Sequence, residues 1–148
     1  MNDITYEIIE NLYKSYEGSI NRLIIGKKIN SNLSKMENFR PQYGFTGNIG
    51  YIDYQITMLD VPKTEAKENT TDHSDYIKML TFRILIIGIE PEYRSKGYFS
   101  SVVEFIYNKA RESKCQCIVF DTIENDKLKR YLRINGAKLF FKNAIKYL

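Results

Sequence analysis

Several residue types are scarce in this chain, and each scarcity excludes a kind of protein. The 148 residues include no tryptophan, two cysteines and a single histidine, His73. Cys115 and Cys117 are separated by one residue in a predicted strand, and we expect them to be reduced packing residues with no disulfide between them. These three side chains cannot assemble a zinc site of cysteine and histidine ligands, and we therefore predict no metal.

Long hydrophobic runs are also missing. No apolar run approaches the roughly 18 residues that a membrane-spanning helix needs. Residues 1–14 carry early acids and no continuous apolar stretch, which argues against a signal peptide. We therefore expect a cytoplasmic protein without membrane contacts.

Net charge and length limit the kinds of ligand and the number of domains that we expect. The formal net charge is +4, and the lysines are scattered along the chain. This mild excess suits an anionic cofactor, and nucleic-acid binding is not expected. A length of 148 residues predicts one domain, residues 1–148, that is large enough to bury a core. A homodimer is left open.

The most informative stretch of the chain is residues 80–101. Its apolar part, residues 84–89, is rich in β-branched side chains and predicts a strand that is buried on both faces. Pro91 has no N–H to donate to a sheet, so this strand should end at Glu90. A basic segment that contains Arg94 and Lys96 follows, and a helical pattern begins after Gly97.

The start of that predicted helix is suited to an anion. The first four N–H groups of a helix have no partner inside it, and they point beyond its end. Arg94 and Lys96 add positive charge there, and Gly97 would let the backbone approach a ligand closely. On residue types alone, an ordinary surface turn with two solvated cations explains the segment equally well.

Residues 91–98, between an apolar strand and a helix, resemble the acetyl-coenzyme A pyrophosphate loop of the GNAT superfamily of N-acetyltransferases. That family's signature is Gln or Arg, two residues, Gly, one residue, then Gly or Ala. Arg94 and Gly97 match the first two fixed positions, whereas Phe99 departs from the third. The resemblance implies cofactor-binding residues at the end of the strand and in the loop: Ile87, Ile89, Arg94, Ser95, Lys96, Gly97, Tyr98, Phe99 and Ser100.

The resemblance continues to about residue 141. In the family, an Asn that contacts the pantetheine arm is followed seven residues later by a Tyr that protonates the departing thiolate, then by Gly and an aromatic residue. Asn125 and Gly136 fit this spacing, but Leu132 occupies the tyrosine position and Ala137 the aromatic one. The resemblance implies that Asn125 binds the cofactor and that Tyr131, about 100° around the helix from Leu132, is the catalytic acid.

The N-terminal half lacks family motifs and is interpreted from its periodicity alone. Apolar residues at helical spacing predict a helix over residues 3–16 that ends at Gly18. Residues 20–36 fit either a helix or a short strand, and residues 38–48 are typical of a loop. Residues 51–59 alternate and predict a strand with one buried face, formed by Ile52, Tyr54, Ile56 and Met58, and one solvated face, formed by Asp53, Gln55 and Thr57.

The remaining connections are predicted in the same way. Residues 63–75 are almost wholly polar and predict a long exposed loop with a disordered tip, in which His73 is solvated. After the glycine turn, a helix should run to Ser113, with Phe99 as the first residue of its buried stripe. A parallel strand over residues 115–120, a helix that stops at residues 135–136, and an edge strand or hairpin over residues 138–148 complete the chain.

These elements predict an α/β (α+β) fold of GNAT-like type: a mixed, mostly antiparallel central sheet flanked by helices, with a β-α-β cofactor-binding unit. The resemblance implies an acetyltransferase that moves an acetyl group from acetyl-coenzyme A to a primary amine of a small molecule or protein. A catalytically silent acyl-coenzyme A binding or interaction module of the same fold is the alternative. No residue is identified as the base, although Asp121 and Glu90 are candidates that a turn or a solvated charge explains equally well.

Overall fold

The computed structural model describes residues 4–15, 18–27, 49–89 and 97–148. These residues form seven strands and two α-helices, with a short 3-10 turn at His73–Asp75 before β4. In chain order they are β1 (Ile4–Ser15), β2 (Gly18–Lys27), β3 (Gly50–Pro62), β4 (Tyr76–Ile89), α1 (Tyr98–Glu112), β5 (Cys117–Phe120), α2 (Asp126–Ile134), β6 (Lys138–Phe140) and β7 (Asn143–Tyr147).

The strands form one mixed sheet in the order β1-β2-β3-β4-β5-β7-β6. β5 pairs in parallel with β4 and antiparallel with β7, so β4, α1 and β5 make a β-α-β unit. The predicted fold class, a mixed, mostly antiparallel sheet with helices and such a unit, is confirmed. No helix in the described ranges is long and apolar enough to cross a membrane.

The predicted N-terminal helix is wrong, because residues 4–15 form strand β1 in a hairpin with β2. The pairing slips between Ile9 and Tyr13, where Asn11 adopts a left-handed backbone with φ 53°. Between these two pairs, three residues of β1 face one residue of β2, so β1 bulges there. Ile4 and Ile8, within the regular pairing, are four residues apart, and Ile9 and Leu12 are three residues apart. Both spacings mimic a helix. Residues 3 and 16 lie outside the described ranges, as do residues 28–48.

The described residues divide into two compact units. The first contains β1, β2, the start of β3 to Gln55, the end of β4 from Ile86, and the start of α1 to Ile106. Its core is mainly aliphatic. The half-buried rings of Tyr6 and Phe105 stack on each other with centroids 4.0 Å apart. The fully or almost fully buried apolar residues are Ile20, Leu23, Ile24, Ile25, Ile49, Ile52, Tyr54, Tyr98, Val102, Val103 and Ile106.

Two glycines in the first unit allow β3 and β4 to approach closely. A Cβ on Gly50 would lie 2.0 Å from the carbonyl oxygen of Gly88. A Cβ on Gly88 would lie 2.8 Å from the ring of Tyr51. Neither position has room for a side chain, which explains why Gly88 interrupts the apolar run of β4.

β3 does not have the predicted buried and solvated faces. In its first half, Asp53 and Gln55 are buried together with their apolar neighbours. In its second half, Ile56 and Met58 are exposed, Met58 at 52%. The prediction assumed one environment along the whole strand, whereas the strand is buried on both faces up to Gln55 and on one face after it.

The second unit contains the rest of β3 and β4, the end of α1 from Tyr107, and all later elements. One of its core clusters consists of Val61, Met79, Cys117, Val119, Phe140 and Ile145. The C-terminal residues form the hairpin alternative, β6 and β7, which turns at residues 141–142. β6 is the outermost strand at this end of the sheet.

The predicted disordered tip of the 63–75 loop is also wrong. Glu68 accepts hydrogen bonds from the backbone N–H of Leu139 and from Arg133, and Asn69 accepts one from the backbone N–H of Phe141. His73 is exposed at the 3-10 turn, as predicted. These contacts join residues about 70 positions apart in sequence, so local composition did not reveal them.

Candidate functional site

The candidate site begins where the chain passes from β4 to α1. β4 ends at Ile89 and α1 starts at Tyr98. Residues 90–96 lie outside the described ranges, and with them the predicted Glu90, Arg94, Ser95 and Lys96. Gly97 precedes the helix directly, is exposed, and has φ +80°, a left-handed conformation that favours glycine.

The first turn of α1 contains the remaining residues of the predicted loop. It carries no acidic side chain, which is compatible with an anion at this end of the helix. Tyr98 is buried, Phe99 is half-buried and Ser100 is exposed. Tyr98, Val102, Ile106 and Ala110, four residues apart, form the buried stripe of the helix. Tyr98 therefore takes the position in the stripe that was predicted for Phe99.

The end of β4 holds two of the predicted cofactor-binding residues, Ile87 and Ile89. The pairing of β4 with β5 ends at Ile84 and Phe120, while β4 itself continues to Ile89. Ile87 and Ile89 are half-buried there. Ile86 is 43% exposed, so the prediction that residues 84–89 are buried on both faces fails for this residue. Ile87 and Ile89 belong to the first unit, together with residues 97–100.

Asn125 belongs to the second unit and caps helix α2. Its side-chain oxygen accepts a hydrogen bond from the backbone N–H of Leu128 at 3.0 Å. An N-cap of this kind satisfies one of the helix's first N–H groups. The side-chain oxygen of this exposed residue therefore has a structural role, and its Nδ2 group is the one suited to a ligand.

Tyr131 also lies in the second unit, in the second turn of α2. It is half-buried, whereas Leu132, at the family's tyrosine position, is fully buried. Burial and, to a smaller extent, the neighbouring Tyr131 raise the pKa of Tyr107 on α1. The hydroxyl of Tyr107 is buried and has no hydrogen-bond partner within the described part of the chain. The phenols of Tyr131 and Tyr107 are therefore neighbours.

Asp121, a candidate base, lies directly after β5. Its carboxylate accepts a hydrogen bond from Arg83 at 2.8 Å, and both side chains are about one-fifth exposed. The backbone N–H of the next residue, Thr122, donates to the side-chain oxygen of Asn143. Asp121 is thus held in place by its ion pair with Arg83 and by the hydrogen bond of the next residue. This fits the alternative interpretation of Asp121 as a turn residue.

The second unit contains no cysteine suited to nucleophilic catalysis. Cys115 and Cys117 are free and buried. Burial raises the pKa of the Cys115 thiol to about 11, and burial also raises that of Cys117. Thiols in this state are protonated at neutral pH and react poorly. In the described residues, no three His, Cys, Asp or Glu side chains are grouped so as to hold a metal ion.

The first unit contains a buried ion pair that was not predicted from the sequence. Arg22 and Asp53 are directly opposite on β2 and β3, and the guanidinium donates to both carboxylate oxygens, at 2.6 and 2.9 Å. Tyr13 donates a third hydrogen bond to Asp53, and the ring of Tyr51 lies 4.4 Å from the Arg22 guanidinium carbon. The sequence did contain a signal for this pair, because Asp53 lies between apolar residues of β3. A charged residue within an apolar strand requires a partner of opposite charge.

No protein-family model matches the chain, and no curated protein matches its sequence. Among the solved structures that match its fold are two of one toxin. One is a tyrosine-to-phenylalanine mutant of the AtaT toxin bound to the C-terminus of the antitoxin AtaR, with a TM-score of 0.56 and 10% identity over 98% of this chain and 93% of that one. The other is the same mutant bound to the AtaR C-terminus and acetyl-CoA, with a TM-score of 0.54 and 11% identity over the same shares. At such identities the likeness shows a shared fold.

Proposed function

We propose that this protein is an acetyltransferase that transfers an acetyl group from acetyl-coenzyme A to a primary amine of a small molecule or protein. The observation that carries the proposal is the β4-α1-β5 unit, in which a left-handed glycine directly precedes the helix. The AtaT toxin, which shares the fold, has been solved with acetyl-CoA. The GNAT-like loop pattern at the same position in the chain supports the same cofactor.

The described residues at the start of α1 fit a pyrophosphate. Gly97 presents no side chain, and the first turn of the helix carries no acid that would repel an anion. The helix dipole adds about half a positive charge at this end. In our proposal the backbone N–H groups of residues 95–100 bind the pyrophosphate, and Arg94 and Lys96 supply the charge. Asn125 would bind the pantetheine arm through its Nδ2 group.

The bound cofactor would supply an acetyl group that is activated as a thioester. The backbone N–H groups of β4 near Ile87 and Ile89 would stabilise the oxygen of the acetyl carbonyl as negative charge develops on it. Tyr131 would donate its phenolic proton to the departing thiolate sulfur. The acceptor must reach the acetyl carbon as a neutral amine, and we assign its deprotonation to no residue.

We expect Tyr131→Phe to lower turnover about a hundredfold while the dissociation constant for acetyl-coenzyme A stays unchanged, because a general acid contributes to the chemical step and not to cofactor binding. Release of free thiol with an accepted amine measures turnover, and calorimetric titration measures binding. Unchanged turnover would remove Tyr131 from the mechanism.

Tyr107→Phe is a matched control, since it removes a phenol next to Tyr131 to which we assign no role in catalysis. A buried hydroxyl without a partner destabilises the folded state. We therefore expect the free energy of unfolding of Tyr107→Phe to rise by about 1 kcal/mol, with turnover unchanged. Urea unfolding checks this, and a fall in stability would mean that the hydroxyl does have a partner.

A catalytically silent acyl-coenzyme A binding module of the same fold is the second candidate. The buried Leu132 at the family's tyrosine position, followed by the buried Ala137 at its aromatic position, favours this alternative. A panel of amines separates the two functions once binding of acetyl-coenzyme A is established. Thiol release with any amine supports the enzyme, whereas binding without release from the whole panel supports the silent module.

A further inference from the structure

The α-helices of the second unit lie on one face of its sheet. Ile118 of β5 is directly opposite Lys146 of β7, so the two side chains share a face. Lys146 donates to a carbonyl oxygen at the end of α2, and its Nζ lies 5.9 Å from the ring centroid of Tyr107 on α1. Side chains alternate along a strand, so Cys117 and Val119 point to the other face. There they belong to a core cluster whose members come from strands alone.

Arg83 and Asp121 lie on this second face, away from the helices. Arg83 of β4 is directly opposite Val119, and Asp121 follows Val119 by two residues. Their ion pair joins Arg83 Nη2 and Asp121 Oδ2 at 2.8 Å, as expected for side chains on one face. The backbone N–H of Asp121 donates to the carbonyl oxygen of Ile84 at 2.9 Å, directly after the last residue pair of β4 and β5. Asp121 therefore stands at the end of this parallel ladder, the end at which β-α-β units bind ligands.

One oxygen of the Asp121 carboxylate is available to a ligand. Oδ2 accepts the hydrogen bond from Arg83, whereas the contact of Oδ1 is with the Thr122 hydroxyl, at a long 3.4 Å. No other described residue hydrogen-bonds to this carboxylate, which can accept about four bonds. The Asp121 side chain is 21% exposed. Asp121 thus keeps unused acceptor capacity at a partly exposed position.

The residue after Asp121 has a strained backbone. Thr122 has φ 49°, a left-handed conformation that is rare for a β-branched residue. Its N–H donates to Asn143 Oδ1 at 2.9 Å, and the N–H of Ile123 donates to the carbonyl oxygen of Lys142. These bonds hold the strained residue in place. Strain of this kind concentrates at ligand-binding sites, which supports a binding role for the turn that starts at Asp121.

We propose that Oδ1 of Asp121 binds the acceptor amine as an ammonium ion, on the sheet face opposite to the helices. This acceptor site rests on the proposed acetyltransferase function. Asn125 and Tyr131, to which that function assigns the pantetheine arm and the proton, lie at the N-cap of α2 and within it. Cofactor and acceptor would thus approach the end of the β4-β5 ladder from opposite faces. Alkylamines are cations at neutral pH, as lysine is, and fit a carboxylate, whereas aromatic amines are neutral and do not.

Asp121 can hold the amine throughout the transfer. The bound ammonium loses one proton to solvent, and its remaining N–H groups still donate to the carboxylate. The freed lone pair forms the bond from nitrogen to the acetyl carbon. The electron pair of the carbon–sulfur bond passes to sulfur, which takes the phenolic proton of Tyr131. The nitrogen then loses a second proton, which returns through solvent to Tyr131, and the products are an N-alkylacetamide and free coenzyme A.

The kinetic test is Asp121→Asn, which keeps the size of the side chain and removes its charge. With an alkylamine that the enzyme accepts, we expect KM for the amine to rise about tenfold or more and kcat to change less than about threefold. The dissociation constant for acetyl-coenzyme A should stay unchanged. Glu124→Gln is the matched control, because it removes a carboxylate three residues away that is 76% exposed, and it should leave KM unchanged. A folded Asp121→Asn enzyme with unchanged KM, or an equal rise of KM in Glu124→Gln, would overturn the assignment.

NMR titration of the wild-type protein measures the same binding without turnover, and it decides the matter if Asp121→Asn fails to fold. The probe is n-butylammonium chloride at constant ionic strength, with coenzyme A present to fill the cofactor site. We expect saturable shifts of the backbone amides of Thr122 and Asn143, and none with n-butanol, which has the same carbon chain and no charge. These shifts without thiol release from any amine would leave the ammonium site in place and contradict the acetyltransferase. No shift with n-butylammonium, or equal shifts with n-butanol, would overturn the site even in an active acetyltransferase.

Discussion

Replacement of Gly97 by glutamate is expected to abolish acetyl-coenzyme A binding while the protein stays folded. Gly97 has φ +80°, and a residue with a Cβ loses about 1 kcal/mol in this conformation, which is small against the stability of a typical domain. The glutamate side chain would fill the space in which the pyrophosphate is proposed to lie, and its negative charge would repel the phosphates. Calorimetric titration measures the loss of binding, and thermal unfolding verifies the fold.

Gly97→Ala is the matched control for this experiment. It imposes the same backbone strain as glutamate, but it adds a single methyl group and no charge. We expect its affinity to lie between that of the wild type and that of Gly97→Glu. If Gly97→Glu binds acetyl-coenzyme A as tightly as the wild type, the cofactor does not lie at the start of α1.

The second large effect is expected at the buried ion pair of the first unit. Asp53 is 0% exposed and Arg22 is 9% exposed, so Asp53→Ala leaves a buried guanidinium without its main partner. Loss of one member of such a pair lowers the free energy of unfolding by about 3–5 kcal/mol. Urea unfolding of the wild type and of Asp53→Ala measures this difference.

Two comparisons isolate the cause of this effect. Asp60→Ala removes an exposed carboxylate that lies 3.4 Å from Lys78, and we expect a loss below about 1 kcal/mol. The combined replacement Arg22→Met, Asp53→Leu removes both charges and should recover most of the stability that Asp53→Ala loses. If Asp53→Ala destabilises no more than Asp60→Ala, the pair does not stabilise the junction of β2 and β3.

The parts of the fold that could be predicted from the sequence are those that depend on residues close together in the chain. The apolar residues of β4, the proline that follows them and Gly97 before the helix are neighbours in sequence, and they led to the β-α-β unit. Residues 135–136 marked the end of α2 in the same way, and the structure has Asn135 as its C-cap and Gly136 as a left-handed residue after it. Caps, turns and helical stripes depend on residues at most a few positions apart.

The errors arose where distant residues decide the structure. The bulge at Asn11 hides the alternation of β1, and only the pairing with β2 reveals the strand. Asp53 was predicted to be solvated, because the sequence does not show that Arg22 lies opposite it on another strand. Glu68 and Asn69 have the composition of a loop, and their hydrogen bonds to the edge of β6 join residues about 70 positions apart. Tertiary contacts override local pattern in each case.

In the predicted site too, local features could be predicted from the sequence, whereas tertiary contacts could not. Gly97 was predicted to bind the cofactor because it has no Cβ, and the structure adds that its φ is +80°. The buried stripe of α1 starts at Tyr98, one residue before the predicted Phe99, because burial every four residues fits Tyr98, Val102 and Ile106 better. The role of Tyr131 rests on the family spacing, and its electrostatic effect on Tyr107, in another helix, could not be predicted from local pattern.

Thermal unfolding with and without acetyl-coenzyme A tests the central claim most directly. A ligand that binds only the folded state adds about 2.7 kcal/mol to the free energy of unfolding at a hundred times its dissociation constant. We predict a rise in the melting temperature that grows with acetyl-coenzyme A concentration and is lost in Gly97→Glu. The absence of any shift at millimolar acetyl-coenzyme A would contradict both the acetyltransferase and the silent binding module.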